Sequence, residues 1–181
     1  SGSGLRVVDS DGKNWMDVNG GYMSVNVGYG RSEIADAVYE QMAALTYFPN
    51  GTATKSVARL AAKLAEMTPG DLSRCFFVSG GSEANETSVK VARAYYRRVG
   101  HAGRYKIISR RHSYHGSLGM SMWLGGVPSG NTRVDYEPAY PGMVYVPQPY
   151  PYRCELGGTN PDQCAELCAR ALENQILFSG P

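Results

Sequence analysis

Apolar and polar positions change their period several times along the chain, and each change marks an element. The opening "LRVVDSDGKNWMDV" holds two short runs of apolar alternation on either side of Ser10-Asp11-Gly12, which predicts a small antiparallel hairpin. "GGYMSVNVGYG" reads as a glycine-flanked extended or irregular segment. A helix capped by Ser32 should follow, with Ile34, Val38, Met42 and Leu45 on one face. "LTYFPNGTAT" interrupts the pattern with Pro49, Asn50 and Gly51 and predicts a loop. A second amphipathic helix over residues 55–67 turns Val57, Leu60, Ala61, Leu64 and Met67 inward and stops at "TPGD".

Beyond that point strands and helices alternate. Phe76, Phe77 and Val78 read as a buried strand, and from Ala84 a helical spacing runs through Ser88, Val91, Ala92, Tyr95 and Val99. "KIIS" (106–109) and "MVYV" (143–146) read as further strands, buried on both faces as in a parallel sheet. "NTRVDYEPAYPG" and "VPQPYPYRCELGGT" predict long surface loops. Asn160 and Pro161 supply the cap and first position of a last helix reaching about residue 177.

The connection "SGGS" (79–82) carries the first chemical signal. A strand that turns into a helix within four residues leaves the helix's first N–H groups unpaired, with the positive end of its dipole behind them. Gly80 and Gly81 let the backbone approach an anion, and Ser82 adds a hydroxyl at the expected cap position. The same composition would also suit a plain turn and cap. The loop is neither GxGxxG nor a P-loop, so a phosphate fits better than a dinucleotide or nucleoside triphosphate. A second loop, "SYHG" (113–116), follows the next strand, and ligands of parallel sheets collect at strand C-termini. Tyr114 and His115 brought beside an anion loop suit a flat phosphorylated heteroaromatic ring, although this chain has 13 tyrosines and most must pack or face solvent.

Composition narrows the field. A length of 181 residues allows a real core, and a net charge of +2 with scattered basic residues gives no nucleic-acid surface. The apolar runs are too short to span a membrane and "SGSGLRVV" is unlike a signal peptide, so a cytoplasmic location is expected. Cys75, Cys154, Cys164 and Cys168 are too few and too uneven for a disulfide scaffold. Cys154, Cys164 and Cys168 permit a three-thiolate metal cluster, but without a CxxC pair or a nearby histidine the expectation is reduced, structural thiols and no metal.

Taken in order, "VVDSDGKNWMDVNGGYMSVNVGYGRSEIADAV", "LAEMTPGDLSRCFFVSGGSEANETSVKVAR", "KIISRRHSYHG" and "ALENQILFSGP" resemble the class III (ω-amino acid type) aminotransferases, pyridoxal-phosphate enzymes of the aspartate-aminotransferase fold. The resemblance implies an α/β fold, part of a fold type I large domain preceded by a small antiparallel N-terminal segment. Residues 1–50 would belong to the small domain and dimer interface, and residues 51–181 to the first part of the cofactor-binding domain. It further implies that Gly81 and Ser82, with Gly80 beside them, hold the phosphate of pyridoxal 5'-phosphate. Tyr114 would stack on the ring, His115 would lie near it, and Tyr22 and Met23 would line the substrate pocket. The family commonly has an aromatic where Met23 stands, and "TYFPNGTATKSV" also departs from its pattern. The implied partners are a small-molecule amino donor, a 2-oxo acid and a second copy of the chain, with candidate contacts in segments 20–30 and 47–54.

Transamination needs a Schiff-base lysine and an acid that keeps the pyridine nitrogen protonated. The lysines are Lys13, Lys55, Lys63, Lys90 and Lys106, none in a loop after a sheet strand. The resemblance places both catalytic groups beyond Pro181, in a chain well over twice as long. The leading expectation is therefore the N-terminal part of an amine or ω-amino acid aminotransferase. The alternatives are a non-catalytic remnant that binds the cofactor phosphate or a subunit, and an aminomutase or decarboxylase of the same fold. A Rossmann-like nucleotide module lacks both its glycine signature and its ribose-binding acid.

Overall fold

In a computed structural model, which describes residues 1–49, 51–126 and 135–180, the chain forms two compact units, Ser1–Cys75 and Phe76–Pro181. Asn50 of the expected 47–54 loop and the first part of "NTRVDYEPAYPG" lie outside the described residues.

The first unit opens with the expected hairpin. Strands β2 (Arg6–Val8) and β3 (Asn14–Met16) pair antiparallel with Val7 opposite Trp15, and β1 (Gly2–Ser3) adds to the outer side of β2. Asp9 closes the turn. Its carboxylate accepts from the N–H of Asp11 and Lys13 at 3.0 and 2.9 Å and from Trp15 Nε1 at 2.7 Å. The Trp15 bond, then that from Lys13, holds the Asp9 carboxyl below its ordinary 3.8.

The glycine-rich segment is not extended throughout. Gly20–Met23 (α1) makes one left-handed turn, with φ of 58°, 58°, 62° and 66° in succession. The two glycines adopt this conformation freely, whereas Tyr22 and Met23 sit in a region that costs non-glycine residues about 1–2 kcal/mol each. Asp17 fixes the turn, accepting from Gly21 N at 2.6 Å, Asn19 N at 2.9 Å and Tyr29 Oη at 2.7 Å.

Two helices complete the unit, α2 (Ser32–Ala44) and α3 (Lys55–Met67). Arg31, rather than the expected Ser32, is the N-cap of α2, with its guanidinium paired to Glu33. The α3 bounds match the sequence pattern, and Thr54 Oγ1 caps it by accepting from Val57 N at 3.4 Å. Both apolar stripes form, yet neither helix has a buried residue in this structure.

In the second unit, helix α4 (Gly81–Arg98) and strand β4 (Ile107–Arg110) lead to the short α5 (Gly119–Leu124), strand β5 (Met143–Val146) and α6 (Pro161–Ser179). β4 and β5 pair in parallel, with Ile107 opposite Met143 and Arg110 opposite Val146. Val89 of α4 packs with Met120 and Leu124 of α5, and Ile107 and Met143 close the cluster from the sheet. Asn160 caps α6 through Oδ1, which accepts from Gln163 N at 3.0 Å.

Two expectations need correction, and the packed side of α4 is a further finding. Phe76, Phe77 and Val78 form no strand, because no described residue pairs with their backbone, and Phe76 is 70% exposed. β4 alternates half-buried and exposed residues and starts one position later than expected, instead of being buried on both faces. The packed side of α4 carries Asn85, Glu86, Val89 and Arg93, while Ala84, Ser88, Val91, Tyr95 and Val99 face outward. Polar connectors on the inner face hid it from a hydrophobicity reading. Arg93, for example, donates to the carbonyls of Tyr105 and Pro141 at 2.9 and 2.8 Å.

The Asp17 cluster makes a testable prediction. The hydrogen bond from Tyr29, followed by those from the Gly21 and Asn19 amides, lowers the Asp17 carboxyl from 3.8, and the same contact raises the Tyr29 phenol from 10.0. A carboxyl lowered by folding adds stability above its unfolded value, and that contribution is lost as the pH falls through the folded one. Tyr29→Phe should move the Asp17 midpoint up toward 3.8 and shift acid unfolding to higher pH. A carboxyl-carbon NMR titration of Asp17 that is identical in wild type and Tyr29→Phe would show that the hydroxyl does not hold this charge.

Candidate functional site

The site builds from the N-terminus of α4. Gly80, with φ −166°, is the N-cap, so Ser82 is the second helical residue and not the cap expected from sequence. The first N–H to find a carbonyl is that of Ala84, at Gly80 O, 3.0 Å. The amides of Gly81, Ser82 and Glu83 therefore have no acceptor within the helix. A Cβ at Gly81 would meet nothing within 4 Å, leaving room for an incoming group. Glu83 partly complements the dipole already, its carboxylate lying 2.9 Å from where a Gly80 Cβ would stand.

The loop after β4 is tied onto this helix end. Asn85 Nδ2 donates to His115 O at 2.6 Å, and Ser82 Oγ accepts from Ser117 N at 3.2 Å. Glu86 Oε1 accepts from the N–H of Met120 and Ser121 at 3.1 and 3.3 Å, which anchors the start of α5 to α4. Gly116 (φ +137°) lies at the tightest point. A Cβ there would stand 2.5 Å from Ser82 Oγ and 2.6 Å from Ser121 Oγ.

Gly80, Gly81, Ser82 and His115 thus come together, as the two-loop reading expected. His115 is half-buried, and its Nδ1 is enclosed with no hydrogen-bond partner among the described residues. Tyr114, on the same loop, is 72% exposed. An enclosed unpartnered ring nitrogen costs free energy unless a further group meets it. Unpaired helix amides, open space at Gly81, the Ser82 hydroxyl and the His115 nitrogen fit a phosphorylated ring cofactor. Tyr22 and Met23 belong to the other unit, both exposed on the left-handed turn.

Sequence reasoning placed Gly116 in the second loop but missed Asn85, Glu86, Ser117 and Ser121. The available signal was two adjacent polar side chains, Asn85 and Glu86, immediately after the glycine loop. As for the lysines of this unit, Lys90 is exposed on α4 and Lys106 Nζ donates to the Ser179 carbonyl. The cysteines are all free thiols, with Cys164 and Cys168 buried, Cys154 half-buried and Cys75 exposed. Among the described residues no cluster of three or more His, Cys, Asp or Glu side chains could hold a metal. No helix among them is long and apolar enough to cross a membrane.

The class-III aminotransferase family model matches residues 1–177. The chain belongs to the class-III aminotransferases. It is 40% identical to a probable aminotransferase of Mycobacterium tuberculosis over 99% of its own length and 38% of that relative. It is 35% identical to the putrescine–pyruvate aminotransferase of Pseudomonas aeruginosa, over 98% of this chain and 39% of that one. Among solved structures, a thermostable (S)-enantioselective omega-transaminase from Thermomicrobium roseum superposes with a TM-score of 0.93 at 37% identity, covering 99% of this chain and 40% of that one. The chain thus spans about two-fifths of the length of these relatives, within a fold type I, pyridoxal-phosphate-dependent family.

Gly116 offers the most direct test of this geometry. Gly116→Ala in the intact protein should destabilise by about 1–3 kcal/mol, from the forced φ and the two hydroxyl contacts. It should also speed amide hydrogen exchange at Ser117, whose N–H bond to Ser82 would be pushed apart. Unchanged denaturant stability and unchanged exchange would mean that the two loops are not locked together at Gly116.

Proposed function

We propose that this chain supplies the phosphate-binding and ring-facing part of an aminotransferase that moves an amino group from an amine or ω-amino acid to a 2-oxo acid. One observation carries the reading: the Ser117–Ser82 and Asn85–His115 hydrogen bonds hold the Tyr114-His115 loop on the open N-terminus of α4. The amides of Gly81 and Ser82 and the Ser82 hydroxyl bind the phosphate. Gly80 lets the backbone turn beside it, Tyr114 covers one ring face, and His115 offers its unpartnered nitrogen to the ring's surroundings. Pyridoxal 5'-phosphate, when bound, supplies the electron-withdrawing ring that amino-group transfer requires.

In this reading residues 1–50 serve the small domain and the dimer interface, and residues 51–181 open the cofactor domain. Tyr22 and Met23 line the substrate pocket, a role supported by their strained left-handed backbone, since such strain concentrates at ligand sites. The protein works in the cytoplasm as a homodimer, with segments 20–30 and 47–54 against the partner. The exposed apolar stripes of α2 and α3 support association with further protein surface.

Two substitutions separate phosphate from ring. Ser82→Ala with Gly81→Val in the full-length protein removes one donor and fills the open space, and should abolish the visible absorbance of retained cofactor. Tyr114→Ala should keep the phosphate held but lose about 0.5–1.5 kcal/mol of ring contact beyond the lost area. Full cofactor retention in the double variant overturns the phosphate assignment, whereas wild-type affinity and half-reaction rate in Tyr114→Ala overturn only the stacking role.

Dimerisation is checked by light scattering of the full-length protein, which should report twice the chain mass. An active monomer would refute the partner contacts assigned to segments 20–30 and 47–54.

A further inference from the structure

We propose that Cys154 and Cys164 form a peroxide-responsive thiol pair, with Cys154 the residue oxidised first and Cys164 the residue that closes a disulfide onto it. The pair lies where the 154–160 loop meets the first turn of α6. Gly157 N donates back to Cys154 O at 3.1 Å, and Cys164 N donates to Asn160 O at 3.0 Å. Thr159 is pinned through its N–H and hydroxyl to Gln163 Oε1 at 3.1 and 2.7 Å. These bonds fold the loop back over the helix start.

Gly158 permits the close approach. A Cβ there would stand 2.8 Å from Cys164 N, 2.9 Å from Cys164 Cα and 3.2 Å from Cys154 Sγ. The Cys154 sulfur and the Cys164 backbone therefore crowd the same small volume, one that only glycine leaves open. Their accessibilities differ in the sense the chemistry needs: Cys154 is half-buried and reachable, whereas Cys164 is fully enclosed. Cys168, the other neighbour of Cys164, also donates through its Sγ to the Gln148 carbonyl at 3.5 Å.

The charge distribution agrees with this order. The Cys164 thiol donates to Cys154, which lowers Cys154 from 9.0, helped by contacts to the Leu156 and Gly158 backbone and opposed by burial and by Glu155. The same hydrogen bond, with burial and the neighbouring Cys154 and Cys168, raises Cys164 to about 11. Thiolates react with peroxide and thiols do not, so Cys154 is the site of attack. Its sulfur displaces hydroxide from hydrogen peroxide: an S–O bond forms, the O–O bond breaks, and the sulfur gives up two electrons to become a sulfenic acid. Cys164 then gives up its proton and attacks that sulfur. The S–S bond forms as the S–O bond breaks, and the departing hydroxide takes the proton and leaves as water. A dithiol reductant restores both thiols.

The sequence makes the test direct, because no Lys or Arg lies between Arg153 and Arg170, and all three cysteines leave trypsin in one peptide. The full-length protein is reduced, treated with one equivalent of hydrogen peroxide, alkylated and digested. That peptide should carry one alkyl group instead of three and regain three after dithiothreitol. Cleavage before Asp162 should leave the Cys154 and Cys164 halves joined. Oxidation at Cys154 should run at least about tenfold faster than at Cys75, the exposed thiol of the other unit. Cys164→Ser should accumulate a dimedone-reactive sulfenic acid at Cys154. Cys154→Ser, at the more accessible position, should abolish the linkage and leave residue 164 reduced. Three alkyl groups after peroxide, a linkage between Cys164 and Cys168, or equal oxidation rates at Cys154 and Cys75 would each overturn the proposal.

Discussion

The second unit depends on how closely the loop after β4 can approach the start of α4. At Gly116 there is no room for even one methyl group between the Ser82 and Ser121 hydroxyls. That contact makes the other bonds possible. Ser82 can receive the Ser117 amide, Asn85 can reach the His115 carbonyl, and Glu86 can cap α5 only while the loop lies flat on the helix. The Asn85 and Glu86 bonds satisfy part-buried backbone groups of His115, Met120 and Ser121, where an unmet donor or acceptor costs about 1–3 kcal/mol.

The arrangement separates two jobs that one helix end could not perform alone. The inner face of α4 spends its polar side chains on holding the loop, while the amides of Gly81, Ser82 and Glu83 stay free of intrahelical partners. A serine or aspartate cap at position 80 would have satisfied one of those amides and reduced the anion-binding capacity of the end. Glycine at the cap leaves them available and lets the chain enter the helix fully extended.

Much of this was legible in the sequence where local chemistry decides the outcome. The hairpin at Asp11-Gly12, the bounds of α3, and the Asn160-Pro161 start of α6 follow from turn and cap residues that act over three or four positions. Family membership was legible too, because several short segments in fixed order carry it. What failed was whatever depends on a neighbour. A strand at Phe76–Val78 requires a partner strand, and the packed side of α4 is chosen by the groups it must hold and not by its apolar count. The left-handed turn at Gly20–Met23 was also hidden, since Tyr22 and Met23 have no intrinsic preference for positive φ.

That turn shows why the N-terminal unit needs its polar cluster. Two non-glycine residues in left-handed backbone cost a few kcal/mol in sum, and no apolar burial accompanies them, since Tyr22 is 82% exposed. Asp17 opposes the cost by accepting three hydrogen bonds with one carboxylate, two from the backbone on either side of Gly20 and one from the Tyr29 hydroxyl. Charge-assisted bonds of this kind are about twice as strong as neutral ones, so one ionised side chain can hold a conformation that packing does not. Backbone bonds from Met23 N to Asn19 O and from Ser24 N and Val25 N to Gly20 O close the same turn, so the segment's exposed aromatic and thioether side chains are held by polar contacts instead of by a core.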